Sequence, residues 1–375
     1  MPTFPEFDPV GPDGHALDEP QLRVIREVIA PHAAEVDVSG VPRSHLDALA
    51  GVGLFGAPLT PVAAQRELAE LLAGCDASTW FCWVQHQSPL TILDQAVETE
   101  LTPGVKELQE RLLPGMKSGE LVNAVAFAHV RRPGPPNPVA RRTSGGWILD
   151  GTLDWVTSWD IADLVMVMAQ GEGEFADYLV CCYLPAGRSG ITYEGIDVGD
   201  PLALLALAGT HTRPVRLTNC FVPDSHIGAV LDRSAWFVAD AQRTADPNPS
   251  AFGLTRGALS ELFYIADARD DDDIRLLAGR LIEECRHLRR RSYELIDAAD
   301  REVSRTKRLE LRARSLDLAS RAATAVVVSR AGAAMMMDSS AGRRAREALF
   351  LFVQAQTADT RRASIQQALS LSALA

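Results

Sequence analysis

Long apolar runs are missing from this 375-residue chain. Without about 18 uncharged apolar residues in a row, no segment is expected to span a membrane. The N-terminal stretch MPTFPEFDPVGPDGH has no basic segment followed by an apolar one, so no secretory leader is expected. Positive charge is not in excess. A net charge of −12 excludes the basic surface that grips a phosphate backbone, so nucleic acid is not an expected partner. Cysteine is sparse: six thiols lie at irregular spacing inside apolar runs, which predicts buried, reduced side chains and a cytoplasmic protein. Cys181 and Cys182 are adjacent and point to opposite faces of a strand, so they cannot act as a metal pair. No His, Cys or carboxylate cluster has ligand spacing, and no metal is expected.

What is present falls into three textures: residues 1–118 helical, 119–233 strand-rich, 234–375 helical again. PQLRVIREVIAPHAAEV places Leu22, Ile25, Val28 and Ile29 on one helical face behind Pro20. PRSHLDALAGVGLFG reads as a helix ended by Gly51 or Gly53. The stretch Ala64–Leu93 reads as two helices joined at Gly74 to Ala77, the second apolar nearly all round and so buried. His86 on it reads as a satisfied core histidine. In the middle third, GGWILDGTLDWVTS reads as a hairpin turning at Asp150-Gly151. LVMVMAQ, DYLVCCYLP, GITYEGIDV and PVRLTNCFVP follow as strands of an antiparallel barrel or sandwich. RRPGPPNP (Arg131 to Pro138) must be a loop. In the last third, Asp270 to Asp273 favour a helix start, and Leu277, Leu281, Leu288 and Leu295 form its stripe. Leu309, Ala313, Leu316, Ala323 and Val327 are the expected inner face of the next helix, and a helix pair broken near Gln354 to Ala358 ends the chain.

GWILDGTLDWVTSWDIAD resembles a segment of the acyl-CoA dehydrogenase superfamily, matching at Gly146, Trp147, Leu149, Asp150, Gly151, Trp155, Val156, Thr157, Ser158, Ala162 and Asp163. THTR (Thr210 to Arg213), LTNCFVPDSHI and RAREALFLFVQAQTADTRR extend the resemblance in order along nearly the whole chain. It implies an α+β fold: an N-terminal helical domain, a middle β domain and a C-terminal four-helix bundle. It also implies a homodimer or homotetramer, and a flavin between β domain and bundle. Trp155 would pack on the isoalloxazine, Thr157 and Ser158 would meet its N5 and O4 edge, and Thr357 would approach from the last helices. A planar ring needs flat apolar contact, and its redox-active nitrogen needs a donor. The alternative for Trp155 is an ordinary core residue of the hairpin.

The departures from that family are equally informative. Its base is a Glu in a Y-E-G-T segment, and alignment through Thr357 and Arg362 puts Ala355 there. Where relatives carry the Glu on the first bundle helix, this chain offers Arg243 or Thr244, with Asp246 the nearest carboxylate. The flavin-holding T-E-x-x-x-G-S-D loop is replaced by AVAFAHVRRPGPPNP. Arg131 and Arg132 there either meet a pyrophosphate or are solvated loop arginines. The adenine-side R-x-x-F motif is missing, and Q-x-x-G-G survives only as SRAGA. His129 and His211 are further weak catalytic candidates. The resemblance therefore implies FAD, or FMN, held as oxidised or reduced flavin. Three readings follow. One is a two-component monooxygenase supplied by a flavin reductase and acting on a small organic substrate. A second is an acyl-thioester dehydrogenase with a displaced base and an electron-transfer partner. The third is a flavin-free or partner-dependent binding subunit.

Overall fold

The computed structural model describes residues 4–11, 14–56 and 58–372, and Asp18 opens the first helix through a reciprocal cap with Gln21. The expected single helix is α1 (Glu19–Val24), a π-helical turn (Ile25–Ile29), a 3-10 turn (Ala30–His32) and α2 (Ala33–Ser39). Pro31, which has no N–H to continue the ladder, sits in the break. Leu22, Ile25 and Ile29 face the core as the pattern predicts. α3 (Arg43–Gly51) is followed by α4 (Val62–Cys75) and α5 (Ala77–Asp94). Asp76 joins the last two and caps α5, accepting from Ser78 and Thr79 N–H. α6 (Val105–Ser118) ends at Gly119 in the left-handed region.

The strands are β1 (Asn123–Ala126), β2 (Val139–Thr143), β3 (Gly146–Val156), β4 (Leu164–Gly171), β5 (Tyr178–Pro185), β6 (Ile196–Val198), β7 (Arg213–Pro223) and β8 (Ile227–Asp232). They form one sheet in the order β6-β7-β3-β2-β4-β5-β8, with β1 also beside β4. The sheet is mixed: β1 and β2 run parallel to β4, and the other pairings are antiparallel. The hairpin turn lies at Ser144–Gly145, with Gly145 at φ +75°, not at Asp150-Gly151. Gly151 (φ +138°) instead lies inside β3, where a Cβ would collide with Asn137 and Pro138. Alternation along β4 and β5 sends Val165, Val167 and Cys182 to one core and Met166, Met168 and Cys181 to the other. All six cysteines are buried and unpaired.

The bundle follows: α7 (Arg233–Thr244), α8 (Pro249–Arg269), α9 (Asp272–Ile296), α10 (Arg301–Arg330), α11 (Ser340–Val353) and α12 (Ala358–Ser372). Asp271 caps α9 as the acidic run predicts. On α9, Leu281 and Leu288 are buried as expected and Leu277 is 43% exposed. On α10, Ala313, Leu316 and Ala323 are buried as expected, while Leu309 and Val327 are only half-buried; the buried face also takes in Arg308, Arg312, Ser315, Ala319, Ala322 and Val326. One apolar core joins the N-terminal helices, the sheet and bundle residues such as Leu316 and Leu351. Among the described residues no helix is long and apolar enough to cross a membrane.

Candidate functional site

β3 pairs with β7 through two irregularities of opposite sense. Between Leu149↔Cys220 and Gly151↔Leu217 the extra residue is on β7; between Leu153↔Val215 and Val156↔Arg213 it is on β3. The β7 residue inside the second gap is Pro214, which has no N–H for the ladder. Asp154 and Trp155 therefore form a bulge opposite it. Burial follows this shift. Trp147, Leu149 and Leu153 turn inward at odd positions, then Val156 does so at an even one. An unbroken strand would have turned Trp155 inward with Leu153. Instead its ring is 50% exposed, which excludes the core-residue alternative.

Beyond the bulge, Thr157 and Ser158 are buried, and Ser158 adopts φ +68°. Its N–H donates to Thr210 O (2.8 Å), and Trp159 N–H donates to His211 O (3.1 Å). Thr212 Oγ1 donates to Thr157 Oγ1 (3.3 Å) and lies 2.9 Å from Thr210 Oγ1. Ser158 Oγ is fully buried and has no nitrogen or oxygen partner. The Cys82 thiol of α5 lies beside it; burial pushes that thiol up to about 12, and Ser158 opposes the rise. His211 acts as a strut: its Nε2 lies 3.0 Å from Val41 O, and its Nδ1 lies 3.7 Å from Asp160.

The 3-10 turn after β1 (Ala128–Arg131) packs on β3 and β4. His129 Nε2 lies 2.7 Å from Met168 O, and burial pulls its pKa down to about 4, so the ring is neutral at pH 7. Arg131 makes a bidentate pair with Asp240 of α7 (2.8 and 2.7 Å) and lies over the rings of Phe127 and Trp236. Arg132 pairs with Asp154, the neighbour of Trp155. Both arginines thus already have carboxylate partners.

A second cluster lies in the bundle. Asp246, between α7 and α8, holds Arg301 (2.7 Å) and Arg308. Ala355 sits in the α11–α12 connection at φ +49°. The preceding Gln354 accepts from Arg312 at its carbonyl (2.9 Å) and from Asn248 at Oε1 (3.0 Å). Arg312 also donates to Asp246 O (3.1 Å). Only 5% exposed, Arg312 leaves its Nε–H without a partner. Burial pulls its pKa down to about 10; Asp246 opposes that, and the charge of Arg131 adds to it. Thr357 caps α12, accepting from Thr360 N–H (3.3 Å). The α7–α8 turn and the residue next to Ala355, far apart in sequence, thus meet at one guanidinium. His86 belongs to neither group: its Nδ1 accepts from Asn123 N–H, and its Nε2 reaches Met116 O. Asp240, Cys82 and Arg312 carry no signal that the sequence motifs pick out, whereas Thr212 lies in the THTR segment.

No family model matches the chain. Benzylmalonyl-CoA dehydrogenase of Aromatoleum aromaticum is 27% identical over 228 residues, 56% of each chain. The chain thus spans little more than half the length of that curated relative. Isovaleryl-CoA dehydrogenase of Solanum tuberosum is 27% identical over 36% of this chain and 32% of its own. Butyryl-CoA dehydrogenase from Megasphaera elsdenii superposes with a TM-score of 0.70 at 16% identity, covering 95% of this chain and 100% of that one. A glutaryl-CoA dehydrogenase from Mycobacterium smegmatis in complex with FADH2 gives 0.71 at 17% identity, covering 94% and 95%.

Proposed function

The chain belongs to the acyl-CoA dehydrogenase superfamily, and from that premise we propose a flavin-dependent oxidoreductase acting on an acyl thioester without a carboxylate base at position 355. The residues present fit a flavin. Trp155 offers a half-exposed flat face, and Ser158 Oγ, with Thr157 and Thr212 beside it, is a buried hydroxyl with no nitrogen or oxygen partner. When bound, the flavin supplies two-electron redox chemistry that no side chain here provides. FAD is the form the relatives favour. Arg131 and Arg132 are engaged by Asp240 and Asp154, so neither is free for a pyrophosphate and a weakly held flavin is expected.

One observation carries the choice of chemistry. Ala355 cannot take a proton, and both oxygens of Asp246 are held by arginines. That favours an oxygen-using reaction: reduced flavin comes from a separate reductase, one oxygen atom enters the substrate and the other leaves as water. The names of the curated relatives favour a second reading, dehydrogenation, with electrons passed to a flavoprotein partner. Residues 1–118, 119–233 and 234–375 would act as three domains of a homodimer or homotetramer. The exposed apolar side chains Leu276, Val328 and Met335 to Met337 on the bundle support assembly. The deciding experiment is to load the protein with FAD and add an acyl-CoA without oxygen. Oxidised flavin that stays yellow, with product appearing only when a reductase and oxygen are supplied, supports oxygenation. Bleaching overturns it in favour of dehydrogenation. A protein that binds neither FAD nor FMN overturns both.

A further inference from the structure

Around Asp240 and Asp246 the buried charges do not balance. Arg131 has Asp240, while Arg301 and Arg308 share Asp246. Arg312 has no carboxylate within ion-pair distance among the described residues; it holds only the carbonyls of Asp246 and Gln354. Four guanidiniums thus stand against two carboxylates, and the unmatched one is 95% buried with its Nε–H unsatisfied. A buried cation of this kind is costly unless an anion joins it. Two carbonyls fix the guanidinium plane and leave the enclosed Nε–H unpaired. These carbonyls belong to the two chain segments that meet beside Ala355.

The geometry points to a carboxylate-binding subsite centred on Arg312, which selects acyl thioesters that carry a second, free carboxylate on the acyl group. This inference rests on the proposed flavin and thioester reading. The substrate brings the anion that Arg312 lacks. Arg131, within electrostatic reach of Arg312, adds to the attraction while remaining paired to Asp240.

The test compares succinyl-CoA, butyryl-CoA and the methyl ester of succinyl-CoA by calorimetric titration of the flavin-loaded protein. The three share a four-carbon backbone; butyryl-CoA lacks the carboxylate, and the methyl ester keeps its oxygens while removing the charge. Succinyl-CoA should bind at least about tenfold more tightly than the other two, the discrimination given by one charge-assisted hydrogen bond. Arg312→Met should bring the succinyl-to-butyryl ratio toward one, and Arg312→Lys should keep part of it. The methyl-ester comparison uses the unaltered protein, so it stands even if the Met variant fails to fold. Equal affinities for all three, or a ratio that survives in Arg312→Met, overturn the subsite while leaving the thioester reading intact. Failure of every CoA ester to bind overturns the thioester reading, and the subsite with it.

Discussion

Replacing Trp155 by Ala isolates the contact on which the flavin assignment depends. A tryptophan side chain offers about 150–250 Å² for burial. With half the residue exposed, a ring laid on it removes about 100 Å² of tryptophan surface from water. At about 25 cal/mol per Å² this is about 2.5 kcal/mol, or a dissociation constant about 50- to 100-fold weaker in Trp155→Ala. Trp155→Phe keeps a smaller flat face and should lose about tenfold or less. The assay is titration of apoprotein with FAD, followed by quenching of flavin fluorescence. The apo fold should be nearly indifferent, within about 0.5 kcal/mol, because the side chain is not part of the core. A Trp155→Ala affinity within about threefold of the unaltered protein, with an intact fold, would refute the stacking placement.

Asp246→Asn leaves the buried Arg308 and its neighbour Arg301 without their shared carboxylate. It should destabilise by about 3 kcal/mol. A variant of normal stability that has lost activity would instead identify Asp246 as a base. Burial raises the Asp76 carboxyl to about 6, so its contribution to stability falls as pH climbs from about 4 to about 6. Buried His45, His86 and His129, each pulled down to about 4, act in the opposite direction over that range. Taking the difference between Asp76→Asn and the unaltered protein cancels the histidines. Asn still caps α5, and the variant's relative stability should grow by about 3 kcal/mol between pH 4 and pH 7. A flat difference in denaturant titrations would refute the buried-carboxyl account. Pro214→Val restores an N–H opposite the β3 bulge and should turn Trp155 inward. The measurable sign is loss of acrylamide-accessible tryptophan fluorescence, since the other five tryptophans are less exposed. Undiminished quenching would show that Pro214 does not set the bulge.

The helical–strand–helical order, the α4–α5 junction at Asp76 and the break before α12 were all legible, because caps, proline and periodicity act within one turn of chain. The Asp150-Gly151 signal misled for a physical reason. It encodes a positive-φ residue, and both a hairpin turn and a close approach inside a strand need one. Trp155 was legible as a residue but not in its orientation, which depends on Pro214, a neighbour only across the ladder. Arg308 and Arg312 give no sign of burial in the sequence. Their burial depends on carbonyls and carboxylates from α7, the α7–α8 turn and the α11–α12 connection, none of which periodicity on α10 can register.

The two bulges in the β3–β7 ladder act like a pair of opposite dislocations in a crystal. Each shifts the pairing by one residue, and together they cancel, so the lattice on either side stays aligned. Between them lies a short window of inverted phase. The same letters read in the other frame would bury an indole and expose a valine, giving a sheet that folds as well and recognises nothing. Loss of a single residue at Asp154 would erase one dislocation and leave the other uncompensated. Everything after it, including the Ser158–Thr210 contact, would be carried out of step. What this stretch conveys is therefore held in its phase as much as in its composition.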